Sequence, residues 1–133
     1  MNRVELSKII SNRIKQDRDS IKQQYESSKN KIGYFYIDNL LPEEIVQEIN
    51  NQFPNSDNMI LKKSLRENKY IAAQMDKYHP ILEDVIYSFQ DQEIVQDIKE
   101  ICGIEDLHSD EYLYAGGISS MKKDQFLNPH LDN

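Results

Sequence analysis

Near the end of the 133-residue sequence, Phe126 to Asn133 reads FLNPHLDN and holds a histidine and an aspartate two places apart, His130 and Asp132. On an extended segment, residues two apart point to the same side, so an imidazole nitrogen and a carboxylate oxygen can converge on one ion. That donor pair suits Fe(II) or Mn(II). Structural zinc favours thiolate clusters, and the chain has a single cysteine. A His-x-Asp pair is two-thirds of the two-histidine, one-carboxylate site of non-haem iron. Spacing alone does not select it, because three histidines among this much aspartate give roughly one chance in four of a stray pair. His108-Ser109-Asp110 is a second instance. Context separates the two. His108 lies in a polar link where Ser109 and Asp110 read as turn residues, whereas His130 follows a hairpin-like pair of strands and a proline that fixes the local backbone. His79, just before Pro80, reads as the residue leading into a helix.

Several elements must hold such a pair in place. From Val4 to about Ser28, Ile10, Ile14, Ile21 and Tyr25 fall on one helical face, which predicts a long, thinly apolar helix. Its face should pack on the domain that follows or against a second subunit. Lys31 to Asn39 crowds aromatic and β-branched residues after a glycine and reads as a strand. Pro42 then opens a helix with Glu43 and Glu44 in its first turn, where the dipole favours acids, and Ile45, Val46, Ile49 and Phe53 line one face. Met59 to Lys77 gives no clear period. Pro80 opens another helix with Ile81, Leu82, Val85, Ile86 and Phe89 at core spacing. A further helix from about Asp91 to Cys102 buries Ile94, Val95, Ile98 and Ile101 and is capped by Gly103. Cys102 continues that face as a buried structural thiol. The pattern turns to strand at Glu111 (EYLYA), passes the flexible Gly116-Gly117, and resumes as ISSM; a KKDQ turn precedes FLNPHLDN.

One chain of this length makes one modest domain. Its net charge of −7 and pI near 4.9 argue against nucleic acid, whose binding rests on neutralising phosphates, and against an anionic membrane surface. The same acidity favours a basic or neutral substrate. No stretch approaches the ~20 apolar residues of a membrane span, and no signal-peptide core is evident at the N-terminus. The lone Cys102 suits a reducing compartment. The expectation is a cytoplasmic protein.

The segment YAGG…FLNPHLDN resembles the start of the catalytic core of the Fe(II)- and 2-oxoglutarate-dependent oxygenases, in particular the prolyl 4-hydroxylase-like branch, where a Tyr-x-x-Gly strand precedes a Pro-His-x-Asp-like segment. YFYIDNLLPEEIVQEINNQFP is similar to the strand-then-helix lead of the same branch. The resemblance covers roughly residues 31 to 133. It implies an α+β fold in which N-terminal helices support a double-stranded β-helix, or jelly roll, of which only the first strands are present. Residues 1–30 would be a helical extension and 31–133 the N-terminal part of the oxygenase domain. It further implies that His130 and Asp132 are the first two iron ligands and that Tyr114 sits near the 2-oxoglutarate co-substrate. The activity implied is hydroxylation of a small-molecule or peptide substrate with O2, coupled to decarboxylation of 2-oxoglutarate to succinate. The stretch between Gly117 and His130 is longer than in compact members of the branch.

The branch places its third iron ligand, a histidine, well downstream, and its 2-oxoglutarate anchor further on still. No histidine follows His130, and a jelly roll takes about eight strands. The expectation is the front part of a longer dioxygenase, incomplete and inactive as 133 residues. Two other readings stand beside it. One is a truncated homologue that acts as an interaction or regulatory protein by pairing its exposed strands with a partner. The other is a plain helical domain whose ending is coincidental. A homodimer through the N-terminal helix is the further partnership expected.

Overall fold

The computed structural model describes residues 1–113 and 116–131. Among them are five α-helices and a small antiparallel sheet, an α+β arrangement. The expected N-terminal helix is present as two, α1 (Arg3–Gln16) and α2 (Arg18–Ser28). Only Asp17 interrupts them, with φ −99° and ψ 10°, and its carboxylate pairs with Arg13 at 2.7 Å. A capping box between Asn2 and Glu5 starts α1 and satisfies two otherwise orphaned N–H groups.

The apolar stripe of α1 and α2 is covered within the chain. Ile10, Ile14 and Ile21 form one core cluster with Ile94 and Ile101 of α5 (Gln92–Cys102). Ion pairs rim that interface, Lys15 to Glu93 at 2.8 Å and Arg18 to Asp97 at 2.8 Å. Gly103 caps α5 in the left-handed conformation (φ 65°), as expected. Cys102 packs against the same cluster, and burial pushes its thiol pKa up, which suits the structural role. A second cluster joins Met75, Leu113 and the buried Ile81 and Leu82 of α4 (Pro80–Ser88). His79 caps α4, its Nδ1 accepting from the Ile81 N–H at 3.2 Å.

The segment read as a strand after Lys31 is extended but belongs to no sheet. Side chains of α2 take the place of a neighbouring strand. Ser28 Oγ accepts from Tyr34 N–H (3.0 Å) and lies 3.2 Å from Tyr34 C=O. The Gln24 amide accepts from Tyr36 N–H (3.0 Å) and donates to Tyr36 C=O (3.3 Å). Alternation survives, with Tyr34 and Tyr36 exposed and Phe35 and Ile37 packed on the first cluster. Arg13 donates to Asp38 C=O at 2.9 Å and holds the following turn. Next comes α3 (Glu43–Gln52), with Pro42 as its cap rather than its first residue. Ile45 is buried as expected, but Val46 and Phe53 are exposed. Phe89, expected in the core, is exposed too.

The illegible stretch from Met59 forms a hairpin, β1 (Ile60–Lys63) with β2 (Glu67–Ala72), paired from Ile60↔Ile71 to Lys63↔Asn68. The opposite edge of β2 takes β3 (Ile118–Ser120) at Tyr70–Ala72 and β4 (Phe126–Leu127) at Glu67–Asn68. So β3 and β4 do not form a hairpin with each other; they lie in succession along one strand. The KKDQ turn between them is closed by Gln125, whose Oε1 accepts from Lys122 N–H at 2.8 Å. The strand expected from Glu111 is not found at Glu111–Leu113, which form a turn with Leu113 at φ 48°. Gly117 is less a flexible point than a close-packed one. A Cβ on it would lie 2.8 Å from Ala72 C=O. No helix among the described residues is long and apolar enough to cross a membrane.

Candidate functional site

The segment bearing His130 leaves the sheet at Leu127 and is fastened at once to the β1–β2 turn. Asn128 N–H donates to Arg66 C=O at 2.8 Å, and the Asn128 amide donates to Leu65 C=O at 2.8 Å. The turn has its own clamp. Ser64 Oγ accepts from Arg66 N–H (3.1 Å) and Glu67 N–H (3.2 Å), while Ser64 N–H donates to Glu67 C=O (2.7 Å). His130 thus hangs from a short, well-bonded frame despite its exposure.

The ring is oriented by its own backbone. His130 Nδ1 lies 2.8 Å from Asn128 C=O. A carbonyl only accepts, so Nδ1 carries the proton and the lone pair of the neutral ring is on Nε2. Histidines that ligate metals commonly donate their second nitrogen to a backbone carbonyl in this way. Tyr114 and Asp132 lie outside the described residues. His108 has a different setting: its Nε2 is 2.5 Å from Asp106 Oδ1, and both side chains are largely exposed.

Sequence reading missed a charged cluster on the neighbouring sheet. Lys62 and Lys69 stand directly opposite each other across β1 and β2. Like charges so placed repel. Glu67, on the same face of β2 as Lys69 and only 3 % exposed, bridges them, with Oε1 2.9 Å from Lys62 Nζ and Oε2 3.0 Å from Lys69 Nζ. Its hydrogen bonds to Lys62, then Lys69, hold the carboxyl at about 2, well below the usual carboxylate range. A signal did exist in the sequence. Met59 to Ala72 carries four basic residues and one acid in a chain of net charge −7. No protein-family model matches this chain, and neither a curated protein nor a solved structure matches it significantly.

Proposed function

We propose that the chain is part of an Fe(II)- and 2-oxoglutarate-dependent dioxygenase and that its small sheet carries the first iron-binding edge of a jelly roll. The observation that supports this most is the His130 ring, whose Nδ1 lies 2.8 Å from Asn128 C=O, the backbone contact common among metal-ligating histidines. In this reading His130 Nε2 and the Asp132 carboxylate hold iron from one side, and Tyr114 lies near the co-substrate. When bound, iron and 2-oxoglutarate would supply the oxidising chemistry. The chain's own part is to hold the imidazole correctly turned, which the Asn128 bonds to Leu65 and Arg66 support by fixing the segment. Because ligation needs a neutral imidazole and an ionised carboxylate, affinity falls at acid pH. The cytoplasm is the compartment this reading implies.

A second reading is an interaction or regulatory protein that has kept the helices without the catalysis. It is favoured by apolar residues left exposed on and around the sheet, including Ile60, Leu61, Leu65 and Leu131. Anaerobic Fe(II) titration and succinate release separate the two. On a protein that supplies the third ligand and the co-substrate anchor, the oxygenase reading expects both activities. His130→Ala should abolish them and His108→Ala should leave them intact. Full turnover by the His130→Ala protein would exclude this site. Absence of Fe(II) binding and of succinate release in the parent protein would favour the second reading.

A further inference from the structure

The net charge of the chain conceals a separation. The sheet and its loops, residues 59–72 and 118–128, hold six of the 16 basic residues but only two of the 23 acids. That region carries +4, and the rest of the chain −11. A surface so divided attracts anions to the sheet despite the acidic whole.

Geometry narrows the attraction to one face. A cleft of about 420 Å³ lies along β2, lined by Lys62, Arg66 and Lys69 with Gly116, Gly117 and Ser119. Its volume lies in the range of small-molecule sites. Glu67 accepts one hydrogen bond from each lysine ammonium, and each ammonium has three N–H groups. Two donors therefore remain on each. Arg66 is exposed and forms no ion pair among the described residues. With Glu67 counted, the four charged side chains sum to +2.

We propose that this cleft binds the phosphate group of a small phosphomonoester. Such a group is close to −2 above its second pKa of about 6 and offers three acceptor oxygens. It would match both the +2 excess and the donors left by Lys62, Lys69 and Arg66. A lone carboxylate brings half that charge. Glu67 would act as a spacer, keeping the lysines apart and extended without cancelling them. The inference stands apart from the iron reading, since His130 does not line the cleft.

The test is a titration of the isotopically labelled chain at pH 7.5 and constant ionic strength with inorganic phosphate, phenyl phosphate and succinate, read by amide chemical shifts. Saturable shifts at Gly116, Gly117 and Ser119 are expected with both phosphates. Arg66→Gln should weaken binding at least fivefold with the fold unchanged, because the Arg66 backbone, not its side chain, serves the Asn128 bond. Lys123→Gln, in the turn outside the cleft, should leave affinity within twofold. Equal weakening by both substitutions would mean diffuse attraction and overturn the site. So would shifts that fail to saturate, or succinate binding more tightly than the phosphates.

Discussion

Replacing Gly117 by alanine should cost far more stability than the same change at Gly103, although both glycines have positive φ. At Gly103 (φ 65°) an added Cβ meets nothing within 4 Å. The cost there is the left-handed backbone alone, about 1–2 kcal/mol. At Gly117 φ is 143°, a region that side chains rarely adopt, and the conformational cost alone is of order 1–3 kcal/mol. The new Cβ would also sit 2.8 Å from Ala72 C=O and 3.2 Å from Ala73 Cα. Both are backbone atoms and cannot swing aside. Relief requires β3 to move off β2 at the Ala72↔Ile118 pair, losing one or two ladder hydrogen bonds of about 1 kcal/mol each. The total is roughly 2–5 kcal/mol, against a typical domain stability of about 5–15 kcal/mol. With a urea slope of about 2 kcal/mol/M, the midpoint should fall by roughly 1–2.5 M for Gly117→Ala and by about 0.5–1 M for Gly103→Ala. Amide exchange at Ile118, Ser119 and Ser120 should accelerate only in the Gly117 variant. Equal midpoints for the two proteins, with protected β3 amides in both, would refute the close approach of Gly117 to β2.

Gln24→Ala removes both hydrogen bonds that hold Tyr36. It should lower stability by about 1–2 kcal/mol in urea unfolding, with faster amide exchange at Tyr36. Glu67 gives an acid signature. Its folded pKa of about 2 lies below the ordinary 4.5, so the unfolded chain binds the proton first as pH falls. The stabilisation from this group is complete above about pH 4.5 and disappears as pH falls through 2. Urea midpoints of the parent should decline across that window, and the decline should be shallower in Glu67→Gln.

The helices were legible because each carries its own punctuation and a face that no other period explains. Pro80 and Gly103 bound α4 and α5 within a residue of where they were expected, and Ile81, Leu82, Ile94 and Ile101 are buried. The β1–β2 hairpin was not legible. Its strands are short, and the face bearing Lys62, Glu67 and Lys69 is charged, so alternation of apolar and polar residues never develops. The opposite error came at Tyr34 to Ile37. Alternation there was genuine, but it reports an extended backbone with one buried face and says nothing about what bonds its edge. Periodicity also overstated the core at Val46, Phe53 and Phe89, where the helix face turns past its neighbours into solvent.

At four positions, exposed or half-exposed polar side chains are the means by which backbone is held. Gln24 and Ser28 replace a strand beside Tyr34 and Tyr36. Ser64 closes the hairpin turn, and Asn128 joins that turn to the segment bearing His130. Each supplies partners for backbone groups that would otherwise depend on water or on a further strand. The candidate site shows the consequence most directly. His130 was picked out by its spacing from Asp132, yet spacing alone would leave an exposed imidazole free to rotate. Its Nδ1 is fixed by the carbonyl of Asn128, the residue whose side-chain amide and N–H grip Leu65 and Arg66. Asn128 thus orients the ring through its backbone and places it through its side chain. If His130 ligates iron, Asn128 would act as its positioning residue, even though its side chain points away to the hairpin.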